Sequence, residues 1–187
     1  MADADDFARH LVHLEVARRL APRTLRLYRD ALTRLATFAE KHGVAPRAVE
    51  VHHVRRWAAT LHGQGLGPRS IALVLSAWRG FYRWLGQDGL VALNPVEGVR
   101  APKAAKPLPK ALSVDLAMAF AEPPPPLDDG AIEARDQCMV ELLYGCGLRV
   151  GELVGLDLAP GGAGWIDAAD ASAHVLGKGS KRRSVPV

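Results

Sequence analysis

Residues 22–43 run PRTLRLYRDALTRLATFAEKHG, and their spacing leaves little choice of conformation. Leu25, Tyr28, Leu32, Leu35 and Ala39 recur every three or four residues, which at about 100° per residue makes one apolar stripe. Arg19, Arg23, Arg26 and Arg34 gather on the opposite side. Pro22 suits a first helical turn and Gly43 suits a stop. The stretch therefore predicts an amphipathic helix with a core face and a basic back. Three more helices surround it, over about 3–18, roughly 51–62 and from Pro68 through PRSIALVLSAWRGFYRWLG. The last of these places Ile71, Val74, Leu75, Trp78, Tyr82 and Leu85 on its core face, with Arg69, Ser76, Arg79 and Arg83 on the other. Short helices joined by tight Gly/Pro turns predict a compact bundle.

The texture then changes. NPVEGVRAPKAAKPLPKALS, residues 94–113, carries Pro95, Pro102, Pro107 and Pro109 with Lys103, Lys106 and Lys110 between them. No apolar period survives and proline extends the chain, so residues 94–112 are expected to be a linker. That divides the 187 residues into a helical domain over 1–93 and a second domain over 113–187. In the second, Ser113 is placed to cap a helix over about 114–122. Pro123 to Pro126 then opens an exposed loop, and a longer helix follows over about 131–144. Gly145 and Gly147 break it, and Val150 to Leu156 restart one. PGGAG at 160–164 is expected to be a surface insertion. GWID, AHVL and RRSVPV have strand character, the last two flanking a Gly-Ser turn as a hairpin. The fold class is mainly α with a small β-hairpin or sheet.

Charge is distributed unevenly. Residues 1–110 balance at +9, residues 111–177 at −9, and the last ten hold four cations and no acid. A basic N-terminal half points to a polyanionic partner, nucleic acid first, against the plainer alternative of a solvated arginine-rich surface. No apolar run approaches the roughly 20 residues of a membrane span. The acidic start MADADDFARH lacks an apolar signal region, so a soluble, cytoplasmic protein is expected. Cys138 and Cys146 have no metal-ligand spacing and are expected to be reduced and buried.

Two cations stand out in the second half. Arg149, in YGCGLRVGELVGL, is expected at a helix N-terminus, where backbone N–H groups already favour an anion. Its guanidinium offers planar paired donors suited to a phosphate, and could stabilise charge on a five-coordinate phosphorus. The alternative is an internal pair with Glu152, three residues on. Lys178, before the Gly179-Ser180 turn, projects from a hairpin tip extended by Lys181, Arg182 and Arg183. Unlike arginine, lysine can give up a proton, so it could protonate a leaving oxygen. The alternative there is a solvated basic turn. GKGSK lacks the spacing of a nucleotide-binding P-loop.

LAPRTLRLYRDAL, LHGQGLGPRSIALVLSAWRGFYRWLGQDGLVALNPVEGVR, RDQCMVELLYGCGLRVGELVGLDL and VLGKGSKRRSVPV, in that order, together resemble a tyrosine recombinase of the phage integrase family, nearest the branch that resolves chromosome dimers. The resemblance implies a helical SAM-like core-binding domain and a partial catalytic domain that clamp around duplex DNA. It implies a tyrosine that attacks the scissile phosphate to leave a 3′-phosphotyrosine and a free 5′-hydroxyl. It assigns Arg149 to neutralising the pentacoordinate phosphate and Lys178 to proton transfer. It implies no metal, nucleotide or redox cofactor, and a related recombinase as partner in a tetramer. The family's His-x-x-Arg, its further histidine or tryptophan and its tyrosine would lie beyond the hairpin. The sequence is therefore expected to lack the nucleophile, since Tyr28, Tyr82 and Tyr144 fall on helical core stripes or at a helix end.

Arg26, Arg69, Arg79, Arg83 and Lys103 are the expected phosphate contacts of the N-terminal half, with Lys181 and Arg182 added by the hairpin. His52 and His53 are adjacent on a helix, do not face each other and are not expected to hold a metal. Trp57, Trp78, Trp84 and Trp165 are expected mostly in the core. Two other functions fit less of the chain: a DNA-binding protein that does not cut, and a helical protein-interaction module, which would not need paired basic faces. A phage or integron-type integrase is a neighbouring reading within the family.

Overall fold

The computed structural model describes residues 2–104, 111–121, 130–177, 179 and 181–187. The chain divides into two compact units, residues 1–107 and 108–187. The first holds α1 (Ala2–Val16), α2 (Pro22–Lys41), a 3-10 turn at Pro46–Ala48, α3 (Val51–Gly63) and α4 (Pro68–Gln87). Pro22 and Pro68 each start their helix, where the missing N–H and fixed φ cost nothing.

Helix α4 is the spine, packing against each of the other three helices. Ile71, Leu75, Ala77, Trp78, Phe81, Tyr82 and Leu85 are all but sealed from solvent, against Leu32 and Leu35 of α2 and Val54, Trp57 and Leu61 of α3. Polar rings in this core find partners, Trp57 by donating its indole N–H to His42 Nδ1 at 3.2 Å. The Trp78 indole N–H donates to the Ala31 carbonyl at 2.7 Å, and the Tyr82 hydroxyl donates to the Pro46 carbonyl at 2.8 Å. Helix α1 is fixed by stacking of Phe7 on Phe81, with ring centroids 4.8 Å apart. It is also held by a buried carboxylate, Asp6, which accepts two bonds from Arg47 at 2.7 and 3.0 Å.

The linker expected from Asn94 starts later. Asn94 donates to the Arg79 carbonyl at 3.0 Å and its own Oδ1 accepts from the Val96 N–H at 3.0 Å. That turn drops Val96 and Val99 into the α-helical core, with Ala101 packed partly against it. The valines, three residues apart, belong to the first unit although proline and lysine dominate the composition around them. Residues 105–110, and Pro123 to Pro126, lie outside the described residues.

The second unit holds α5 (Val114–Ala121), α6 (Gly130–Tyr144), α7 (Val150–Leu153) and strands β1 (Leu156–Asp157), β2 (Gly164–Asp167), β3 (Ser172–Leu176) and β4 (Arg182–Pro186). The strands form one sheet in the order β1-β2-β3-β4, parallel at β1–β2 and antiparallel elsewhere. Ser113 caps α5 as expected, its hydroxyl accepting from the Leu116 N–H at 3.3 Å. The helix expected to run to Leu156 stops at Leu153, and Leu156 pairs with Gly164 as a short strand instead. Gly164 is thereby buried within the sheet, so the 160–164 stretch is not wholly a surface insertion.

The core here is small: Leu142, Leu148 and Val175, with Leu153, Leu156, Ile166 and Val185 partly buried around them. Val114, Leu116, Met118, Ile132, Met139 and Tyr144 are exposed. Cys138 is exposed and Cys146 half-buried, against the expectation of two buried thiols. Helix α6, which carries Cys138, also leaves Ile132 and Met139 exposed, so hydrophobic character does not translate into burial. No described helix is long and apolar enough to cross a membrane.

Phe81→Ala removes a ring at the junction of α1 and α4, and is expected to cost about 3–5 kcal/mol, read as the shift in a urea melt followed by helical circular dichroism. Arg34→Ala, on the exposed side of α2, should change the same melt by no more than about 0.5 kcal/mol.

Candidate active site and nucleic-acid interface

Gly147 turns the chain after α6 with φ +59°, a conformation that a side chain resists. Leu148 follows into the core and Arg149 becomes the residue that caps α7. With only four residues, α7 adds little dipole, so the anion-attracting character expected of a helix end rests on the arginine itself.

Arg149 is anchored by Glu152. The Glu152 carboxylate accepts the Arg149 backbone N–H at 2.8 Å and its Nη1 at 2.9 Å. The same carboxylate takes both ends of Arg183, Nη1 at 2.9 Å and Nη2 at 3.0 Å. Glu152 is 5% exposed at its side chain, whereas Arg149 is 66% exposed. The acid is thus the hidden centre of a three-residue clamp, and Arg149 reaches out of it. The pair with Glu152 and the capacity for an anion are compatible, because a guanidinium has five donors and Glu152 takes one. The Arg149 backbone N–H holds the Glu152 carboxyl below the usual carboxylate range; burial opposes this, and the Arg183 and Arg149 side chains reinforce it.

Arg183 was expected on the positive tip of the hairpin, and the structure turns it inward. It pairs with Val175 across β3–β4, on the face that also carries Ala173 and Val185, and so points to the small core and Glu152. The alternation in RRSVPV, which gives Arg183 and Val185 the same parity, is the signal for this. Gly177, at the other base of the turn, donates its N–H to the Lys181 carbonyl at 2.8 Å. A Cβ there would lie 3.3 Å from the Lys181 carbonyl oxygen, 3.5 Å from Glu152 Oε1 and 3.6 Å from Arg183 Nη1, so the strand passes the clamp at van der Waals contact. The residue before position 178 therefore abuts the group that holds Arg149. Lys178 itself lies outside the described residues.

Of the other expected contacts, Lys181 and Arg182 are exposed, with Arg182 over the Trp165 ring at 5.6 Å. Trp165 is not in the core; it stacks on His174 at 4.5 Å on the opposite side of the sheet from Val175. In the first unit Arg26, Arg69, Arg83 and Lys103 are exposed. Arg79 is different: it is half-buried and its Nη2 donates to the Val99 carbonyl at 3.0 Å, which commits it to holding the 94–99 turn. The His52 and His53 rings meet with centroids 3.9 Å apart and planes tilted by 38°, contrary to the expectation that they do not face each other; His53 accepts the Glu50 N–H at 3.1 Å.

The lowered Glu152 carboxyl fixes the sign of one pH effect. Its stabilisation is complete above about pH 4.5 and is lost as pH falls through the lower folded value. Urea midpoints followed at the Trp165 indole resonance should therefore fall on acidification below that point, and Glu152→Gln should start lower and flatten that fall.

Comparison with known proteins fits this geometry. Residues 7–89 match the phage integrase N-terminal SAM-like domain. A tyrosine recombinase XerC of Ralstonia pickettii is 47% identical over 189 residues, covering 96% of this chain, and one from Pseudomonas putida is 39% identical over 179 residues, covering 95%. The chain spans 57% and 58% of those relatives' lengths. In fold it resembles a lambda integrase dimer bound to a core site, with TM-score 0.66 and 21% identity over 98% of this chain and 61% of that one. A lambda integrase tetramer bound to a Holliday junction gives TM-score 0.67 at 19% identity, over 98% of this chain and 50% of that one. By its SAM-like domain and by identity along nearly its whole length, the chain is similar to tyrosine recombinases of the phage integrase family.

Proposed function

We propose that this chain is the DNA-binding and part-catalytic portion of a XerC-type site-specific recombinase that resolves chromosome dimers. The observation that carries the reading is the clamp, in which a buried Glu152 holds an exposed Arg149 beside the base of the β3–β4 turn. In this reading Arg149 lays its outward donors on the scissile phosphate and offsets the charge that grows as phosphorus becomes five-coordinate. Lys178 delivers a proton to the leaving 5′-oxygen. Arg26, Arg69, Arg83, Lys103, Lys181 and Arg182 meet backbone phosphates and set the register on duplex DNA. The partner is a related, XerD-like recombinase in a heterotetramer on two recombination sites.

The attacking tyrosine is not among the three in this sequence. Tyr82 is buried with its hydroxyl given to the Pro46 carbonyl, and Tyr28 is half-buried against the α-helical core. Tyr144 is exposed at the end of α6, before the turn that presents Arg149. In this reading the chain occupies DNA without cutting it, because none of its three tyrosines is placed as the nucleophile.

Binding to duplex DNA should weaken by about 10³-fold or more between 50 and 200 mM salt, as expected when six or more phosphates are neutralised. Arg26→Ala and Arg69→Ala should each flatten the salt slope by about one unit. A salt-insensitive or absent interaction would remove the DNA reading. Incubation with a nicked suicide duplex should give no covalent adduct, whereas a phosphotyrosine at Tyr144 would overturn the assignment of the nucleophile.

A further inference from the structure

We infer that the cavity between α1, α2 and α4 is a pocket for a phosphate group, held by Arg18, Arg83 and the imidazoles of His10 and His13. The cavity measures about 300 Å³. Its lining includes His10 and His13 of α1, Arg18 just beyond it, Tyr28 of α2, and Arg79 and Arg83 of α4. No carboxylate is among the residues that line it. Two acids of the same unit are paired outside it, Asp6 with Arg47 at 2.7 Å and Asp88 with Arg9 at 3.7 Å. Arg79 is held in place by the bond from its Nη2 to the Val99 carbonyl, whereas Arg18 and Arg83, both exposed, are cations able to turn toward an occupant.

His10 is the second, independent sign of a missing ligand. It is 2% exposed, and neither ring nitrogen has a hydrogen-bond partner. Buried polar atoms are nearly always paired, and an orphan of this kind marks the place of a water, ion or ligand. Phe81 and Trp84 pack on the ring at 5.5 and 5.3 Å, and the Trp84 indole N–H makes no hydrogen bond to it. The remaining side available to it is the cavity it lines. Burial and the neighbouring His13 push the His10 imidazole down to about 4, so near neutral pH it carries one N–H donor and one acceptor. One donor buried in the floor and two guanidinium forks at the mouth match a tetrahedral oxyanion. The volume leaves room for its bridging water, each taking roughly 30 Å³.

The pocket does not depend on the recombinase reading, because inorganic phosphate alone can test it. Titration of the full chain with sodium phosphate, at ionic strength held with chloride, should shift the His10 and His13 ring resonances saturably. Arg18→Gln and Arg83→Gln lie at exposed positions and leave the fold intact; each should weaken phosphate by about tenfold, the loss of a charge-assisted hydrogen bond. Duplex DNA that moves the same ring signals identifies the phosphate as one of the nucleic-acid backbone. Duplex that binds without moving them identifies a free phosphate compound as the ligand, and the pocket stands either way. Shifts that chloride reproduces, the absence of saturation with phosphate, or unchanged affinity in both variants would overturn the proposal.

Discussion

A carboxylate buried to 5% exposure must be fully paired, and Glu152 meets that demand with a backbone N–H and two guanidinium groups. Much of the second unit follows from this one requirement. The turn at Gly147 has to deliver Arg149 to the start of α7, and β4 has to present Arg183 from its inward face. Gly177, just after β3, runs in van der Waals contact with the clamp. Because the hydrophobic core around Leu142, Leu148 and Val175 is small, this charged junction ties together segments that apolar packing holds only lightly. Its consequence for chemistry is orientation. Arg149 is tethered at one donor and its backbone while its outer edge stays in solvent, so an arriving anion meets a preoriented cation.

The first unit solves a different problem, a basic surface around a dry interior. Its aromatic residues are concentrated on α4, where Trp78, Phe81, Tyr82 and Trp84 fill the space among three other helices. Arginines on the outer sides of α2 and α4 then remain in water without a desolvation cost. The exceptions are informative. Arg79 and Arg47 are drawn in because each satisfies groups that would otherwise be buried alone, the Val99 carbonyl and the Asp6 carboxylate. His10 has no such partner in the fold, which separates it from every other buried polar side chain described.

Where sequence and structure part, the reason is long-range pairing. The 94–99 segment has a linker's composition, but Asn94 bonds back to α4 and two valines enter the core. Leu156 continues a helical apolar pattern, yet the partner at Gly164 makes it a strand. Arg183 sits in a run of cations that looks solvated, and only the β3 register sends it inward. Cys138 looks like core and is exposed, as are Ile132 and Met139 of the same helix, in which Leu142 is the buried residue.

The sequence by itself determined the four N-terminal helices, their starts at Pro22 and Pro68 and the hairpin. It also placed Arg149 at the start of a short helix, since periodicity of 3.6, proline geometry and alternation are local properties of the chain. Only the tertiary structure decided that Glu152 is shared by two arginines, that Arg79 braces a turn instead of facing solvent, and that His10 is sealed beside a cationic cavity. Those three facts depend on which side chains meet across 31, 20 and more than 60 residues of chain. A partner at that distance is chosen by packing and desolvation, neither of which leaves a periodic mark on the sequence.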